Sequence, residues 1–192
     1  LPTGMPQQSP LFPPKQPPIM DNDMMPDFNI DDIVKKIDAK IAEIEAEEKD
    51  IPAILEIDRL CFHSETWTRE NVLYEMNENP VSNFWVICLS LKEDDVPQVV
   101  GFSDYWHTFD SATINKIAIH PYLHGRQLGR ALMDEIYNDC YSKKVQNLTL
   151  EVRKSNTHAI HFYEKQEFKF IVEKPHYYSD GEDALYYVLE VK

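Results

Sequence analysis

Along this chain the apolar residues switch between two spacings, every second residue and every third or fourth, and the switches mark out the elements. Lys40-Ile-Ala-Glu-Ile-Glu45 alternates and predicts a first strand. Asp50 stands where a helix cap belongs, with Pro52 in the first turn of a helix running to about Phe62. Thr68 is placed to cap a second helix through Val72, Leu73 and Met76. Phe84–Leu89 and Gln98–Phe102 are β-rich runs on either side of the turn-like stretch Lys92–Pro97. Thr113–His120 predicts another strand. Leu128, Leu132, Met133, Ile136, Tyr137 and Cys140 then fall on one face of an amphipathic helix. Leu148–Val152 predicts a strand, Asn156–Lys165 a helix, and Phe168–Val172 and Ala184–Leu189 two closing strands. Strands interleaved with helices, yet with several hairpin-like joins, predict an α/β (α+β) fold on a mixed sheet.

The pattern changes near residue 27. Eight of the 13 prolines fall in Leu1–Pro26, and Pro13-Pro14 and Pro17-Pro18 favour an extended, polyproline-like tail. Asn29–Lys40 reads as a short charged helix through Ile30, Ile33, Val34 and Ile37, equally suited to a linker, a docking helix or a dimer contact. The division predicted is therefore a tail over 1–40 and a folded domain over 41–192. Leu1–Pro18 lacks the basic and apolar succession of a signal peptide, and no apolar run approaches the about 20 residues of a membrane span. Cys61, Cys88 and Cys140 match no zinc pattern and no disulfide framework, so no metal is expected and a reducing cytoplasm is the simplest setting. A formal charge of −14 argues against nucleic acid as a partner. It suits a basic protein or polyamine substrate, and it equally serves solubility alone.

One segment has the makings of an anion site. The strand Thr113–Ile119 runs through His120-Pro121 into the loop His124-Gly125-Arg126-Gln127-Leu128-Gly129-Arg130, which opens the amphipathic helix. Free N–H groups and the positive end of a helix converge there, as a pyrophosphate requires. Gly125 and Gly129 permit close backbone approach, and Arg126 and Arg130 add charged donors. Taken alone, the segment is also compatible with an ordinary turn bearing solvated arginines.

A second segment, Leu150-Glu-Val-Arg-Lys-Ser-Asn-Thr-His-Ala-Ile-His-Phe-Tyr-Glu-Lys-Gln-Glu-Phe168, gives the first a context. Together they resemble the GNAT superfamily of acetyltransferases. The ending His176-Tyr-Tyr-Ser-Asp-Gly-Glu-Asp-Ala184 makes the chain similar to the RimI-like group of ribosomal-protein alanine N-acetyltransferases. The likeness spans roughly residues 41–192. It implies the GNAT fold, a mostly antiparallel central sheet with helices on both faces, and acetyl-CoA as co-substrate. The implied acceptor is an amine, foremost the N-terminal α-amine of a protein. A small amine, a lysine, or a degenerate domain that binds acyl-CoA without turnover are the other readings.

By the resemblance, Glu151 is the general base and Tyr163 the acid. Without it, Glu151 reads as a solvated strand-end carboxylate and Tyr163 as a core aromatic beside Phe162. The coenzyme site implied comprises the strand Ile117-Ala118-Ile119, the loop His124 to Arg130, and Asn156, which is also the natural cap of the last helix. Trp67, Tyr177 and Tyr178 are the implied substrate contacts, and read equally as packing residues. His158 and His161 read as surface or packing residues. Two positions depart from the family pattern. Gln127 stands where the first signature glycine is expected, so that its side chain either crowds the phosphate or points outward. Glu167 stands where a glycine usually precedes Phe168, and a left-handed backbone there would cost about 1 kcal/mol.

Overall fold

The computed structural model describes residues 44–62, 65–90 and 97–192. The predicted tail, the helix over 29–40, most of the first strand and most of the Lys92–Pro97 turn lie outside them. Seven strands form one sheet: β1 (Ile44–Glu45), β2 (Ser82–Leu89), β3 (Gln98–Thr108), β4 (Ser111–Ile119), β5 (Asn147–Arg153), β6 (Lys169–Lys174) and β7 (Ala184–Glu190). Their spatial order is β1-β2-β3-β4-β5-β7-β6, and every neighbouring pair is antiparallel except β4 and β5. Among the described residues four α-helices pack on the sheet: α1 (Ile51–Phe62), α2 (Arg69–Asn77), α3 (Leu128–Ser142) and α4 (Thr157–Lys165).

Alternation along the strands sends apolar side chains to both faces. On one face Ile51, Ile54, Ile57 and Val72 of α1 and α2 bury against Phe84, Val86, Phe102 and Ala118. On the other, Met133, Ile136 and Cys140 of α3 and Tyr163 of α4 bury against Tyr105, Ile114, Leu148, Leu150, Val152 and Tyr187. Leu128 and Leu132 seat the start of α3 on Ile87, Leu89 and Ile119. The predicted apolar face of this helix is thus the one that the sheet covers.

Two expectations change in detail. Asp50 does not cap α1. Its carboxylate accepts the Glu47 N–H at 2.9 Å and closes a short 3-10 turn, Glu48–Asp50, from which α1 continues directly. The strand predicted to stop at Phe102 runs on to Thr108. Ser103 and Asp104 look like strand breakers in the sequence, yet both are fully buried, and the Asp104 carboxylate accepts hydrogen bonds from Ser82 Oγ (2.7 Å) and Asn115 Nδ2 (2.8 Å). The Asp104 carboxylate is satisfied in this way and does not end the strand, while Ser103 Oγ is buried without a hydrogen-bond partner among the described residues.

The functionally decisive feature is where the parallel pair parts. β4 and β5 are in register from Ser111 with Asn147 to Ile114 with Leu150, and no further. Beyond that point β4 continues to Ile119 and β5 to Arg153 without pairing to each other, which opens the sheet.

Candidate active site

Past the parting point, Glu151 of β5 faces a cleft of about 280 Å³, together with Ile114, Asn115 and Lys116 of β4, Trp67, Glu75, Trp106, Tyr177 and Tyr178. Four residues singled out in the sequence, Glu151, Trp67, Tyr177 and Tyr178, therefore meet in one place. The floor is a buried ion pair. Lys116 donates to Asp58 Oδ1 and, at 2.6 Å, to the Glu65 carbonyl, while Asp58 Oδ2 accepts the Trp67 N–H at 2.7 Å. The Lys116 ammonium also lies 4.3 Å from the centre of the Phe62 ring and 4.7 Å from that of Trp67. Burial pulls the Lys116 pKa below its ordinary value, and Asp58 opposes that pull. With Lys116 paired to Asp58 and Glu151 paired to Lys174 at 2.6 Å, Glu75 is the cleft carboxylate held by neutral donors, and it favours a cation there. Glu75 is oriented by Trp106 Nε1 (2.9 Å) and Asn79 Nδ2 (2.7 Å).

The far wall is the loop between β6 and β7. Tyr177 and Tyr178 meet edge to face at 5.2 Å, and the Arg153 guanidinium stacks 4.0 Å from the centre of Tyr178. Arg153 also binds Asp180 and Glu182 at 2.8 Å each. The Ser155 hydroxyl and N–H, with Arg153, hold the Glu182 carboxyl down at about 2. Burial pushes the Tyr178 hydroxyl well above the usual phenol range, against the nearby Arg153.

Tyr163 is not in the cleft wall. It sits on the opposite face of the sheet, its ring edge-on to Phe162 (5.4 Å) and Phe168 (5.7 Å). Burial first and Tyr178 second push its hydroxyl above the usual phenol range, so it stays protonated.

The predicted anion site lies at the other end of the opening. Gly125 has φ 78° and Gln127 φ 63°, so the chain turns left-handed twice before α3 begins at Leu128. A Cβ on Gly129 would stand 3.8 Å from both Ile119 and Phe162, which puts the first turn of α3 across the gap between β4 and α4. Gln127 is exposed and makes no capping bond, so the departure from glycine is conformational in its cost. His124 Nε2 bonds to the Ile119 carbonyl at 2.8 Å, and its ring stacks on His158 at 5.9 Å. Arg130 reaches Asp134 at 3.7 Å along the outer surface of α3. Asn156 Oδ1 accepts the Ala159 N–H at 3.1 Å and is the cap of α4. The chemistry of these donors suits a phosphorylated arm. Ile117 and Ala118 lie on a strand edge that β5 leaves unpaired, the Ile119 carbonyl at its end is taken by His124, and a helix N-terminus with arginines follows. Among the described residues no group of His, Cys, Asp and Glu is arranged to hold a metal, and no helix is long and apolar enough to cross a membrane.

The sequence reading missed Glu75, Trp106, Asn115 and Lys116. Asn115 and Lys116 were legible only as strand residues, and nothing in the spacing of Glu75 and Trp106 signals that α2 and β3 meet at the cleft.

Comparison with known proteins adds four findings. The acetyltransferase (GNAT) family pattern matches residues 51–168. A Bacillus subtilis (strain 168) protein, provisionally named a ribosomal protein bS18-alanine N-acetyltransferase, is 36% identical over 138 residues, 71% of this chain and 87% of its own. The crystal structure of the ribosomal-protein-S18-alanine N-acetyltransferase from Escherichia coli superposes with a TM-score of 0.66 at 27% identity, over 79% of this chain and 94% of that one. An aminoglycoside 6'-N-acetyltransferase complexed with coenzyme A shares the fold alone, with a TM-score of 0.65 at 14% identity over 79% of this chain and 96% of its own.

Proposed function

The chain belongs to the GNAT acetyltransferase family and is an N-acetyltransferase, and from that premise we propose that it moves the acetyl group of acetyl-CoA onto the N-terminal α-amine of a protein, with a ribosomal-protein-like alanine terminus as the leading acceptor. The observation that carries this reading is the parting of β4 and β5 beside Glu151, which gives an acidic, aromatic cleft on one side and a free strand edge on the other. Its support for the acceptor class is the naming of the relatives.

In the proposed reaction the strand edge Ile117–Ile119 and the start of α3 hold the coenzyme arm, with Gly125, Arg126, Gln127, Leu128 and Gly129 at its phosphates. His124, Arg130 and Asn156 flank that arm. Trp67, Tyr177 and Tyr178 enclose the acceptor terminus. Glu151 takes the proton from the ammonium, directly or through a water. The neutral amine nitrogen then bonds to the thioester carbonyl carbon as the carbon–sulfur bond breaks, Tyr163 gives its proton to the departing thiolate, and the second proton that the nitrogen sheds on becoming an amide returns through solvent to restore Tyr163. An α-amine has an ordinary pKa of about 7.7–8.0 against about 10.4 for lysine, so near neutral pH the base has modest work with the former. The free thiols of Cys61, Cys88 and Cys140 fit a reducing, cytoplasmic setting.

The reading of a binding domain without turnover was motivated by Gln127 and Glu167. Both residues adopt the left-handed backbone that glycine would supply, φ 63° and 68°, which weakens that motive. The test is a panel assay. Purified protein with acetyl-CoA should modify unblocked α-amine peptides, Ala-initiated ones foremost, ahead of lysine peptides with a blocked terminus and ahead of free polyamines. Preference for either of the latter would redirect the acceptor class, and calorimetric binding of coenzyme A without turnover of any acceptor would sink the enzymatic reading.

A further inference from the structure

Lys174, the last residue of β6, reaches the carboxylate at the centre of the cleft. Glu151 on β5 stands opposite Tyr186 on β7, and Tyr186 stands opposite Val172 on β6. Two residues beyond Val172, Lys174 returns to the same face of the sheet. Its ammonium passes 4.6 Å from the centre of the Tyr186 ring and 5.4 Å from that of Tyr177, and donates to Glu151 Oε1 at 2.6 Å. Glu151 lines the cleft, and Lys174 is not among its lining residues. Of the two carboxylate oxygens, Oε1 is the one that the lysine holds.

We propose that Lys174 is a positioning residue for acetyl transfer, fixing Glu151 through Oε1 so that Oε2 meets the incoming amine or its bridging water. This rests on the reading of Glu151 as the base. A glutamate has three side-chain torsions, and a working base has to be held within about 0.5 Å of its productive place. The lysine supplies the hold from a strand, a rigid element, and the two tyrosine rings fix the lysine in turn. The bond to Glu151 is also the main reason that the Lys174 pKa stands above its ordinary value, so the ammonium persists throughout any workable assay range.

The alternative role of the same contact is an internal plug, with the lysine ammonium standing where the substrate ammonium should be. The two roles differ in what they do to kcat and KM. The experiment uses the full chain, acetyl-CoA and an unblocked Ala-initiated peptide, with K174M, K174R, E151Q and the double variant K174M/E151Q. Positioning predicts that K174M lowers kcat roughly tenfold while both KM values stay within about twofold, because only the transition state needs the aimed oxygen. K174R should recover most of the rate, and K174M/E151Q should be no slower than E151Q alone. Lys174 is partly exposed, so the melting temperature of K174M should match the parent, which separates a rate loss from unfolding. If E151Q is slow but K174M keeps its kcat, the positioning role falls and the base reading stands. A lower peptide KM with undiminished kcat in K174M also overturns positioning, in favour of the plug. If E151Q itself turns over at the parental rate, the base reading is the one that fails, and the role given to Lys174 goes with it.

Discussion

At the scale of single residues, the molecule keeps its polar chemistry next to, and partly inside, its core. Tyr163 is the sharpest case, because its ring is core and its hydroxyl is the proposed acid. Burial keeps that hydroxyl protonated at neutral pH, which is the form a proton donor needs. Tyr163→Phe keeps the edge-on contacts with Phe162 and Phe168. We expect kcat to fall by roughly a hundredfold with the fold's stability changed by less than about 1 kcal/mol; a parental kcat in this variant would take Tyr163 out of the proton path. Asp104 makes a stability prediction of definite sign. Burial raises it to about 6, against the hydrogen bonds from Ser82 and Asn115 that favour its charge. Between about pH 4 and 6 the folded chain holds a proton there that the unfolded chain has released. Its contribution to stability is therefore present at the acid end and is lost as pH rises through that window, by about 3 kcal/mol in all. Asp104→Asn removes this dependence, so denaturant unfolding should show the variant gaining on the parent by that order between pH 4 and 7. A stability difference that stays flat over the range would mean that Asp104 is charged in the fold throughout.

Elements were the most legible level of the sequence, and their ends the least. The periodicity placed α2, α3 and α4 within a residue or two, with Thr68 and Asn156 as caps, each accepting the N–H three residues on. Their apolar spacing is local information, and so is a cap. β3 was cut short at Phe102 because the partners of Asp104 are on two other strands, and a single-strand reading sees only a charge. Asp50 was misassigned for the opposite reason, since its partner, Glu47, is local and lies before the helix rather than within it. The end of α4 shows how a departure from the expected residue can leave geometry intact. Phe168 N–H bonds to the Tyr163 carbonyl and Glu167 N–H to the Glu164 carbonyl, both at 3.1 Å, with Phe168 packed on Tyr163. This is a Schellman ending, in which the left-handed position is normally glycine. Glu167 occupies it at φ 68°. The left-handed backbone costs a non-glycine residue about 1–2 kcal/mol, and glycine gives back about 0.4–1 through the unfolded chain. Glu167→Gly should therefore raise stability by about 0.5–1 kcal/mol, a melting shift of about 2 °C upward. Gln127→Gly should move in the same direction. Its exposed side chain leads us to expect coenzyme A affinity within about twofold of the parent by calorimetry; clear tightening would mean instead that Gln127 crowds the phosphates.

On the scale of the whole molecule, the cleft belongs to no single segment, and this is why sequence reasoning found half of it. Glu151, Trp67, Tyr177 and Tyr178 came through a family pattern, while Glu75, Trp106, Asn115 and Lys116 are brought there by the crossing of α2, β3 and β4, which no local spacing encodes. The same assembly ties the two loops that flank the opening. Glu65, between α1 and α2, accepts from Ser179 Oγ at 2.6 Å and from Arg153 Nη2 at 3.3 Å, and its carbonyl takes the buried Lys116. Ser179 follows directly on Tyr178, and Glu65 lies two residues before Trp67, so one carboxylate links both walls of the cleft to the end of β5. Exposed pairs of this kind contribute only about 0–1 kcal/mol to stability, so the link matters for placement more than for folding. Glu65→Ala keeps the Lys116 bond to the backbone carbonyl and leaves Arg153 with Asp180 and Glu182, but frees the two walls from each other. The expected signature is a peptide KM raised about threefold or more, with coenzyme A affinity unchanged and kcat within about twofold, since the loss falls on uniform binding of the acceptor. Should kcat fall instead while KM holds, the walls would be acting on the reacting atoms themselves, and the link would count as part of the chemistry rather than of acceptor capture.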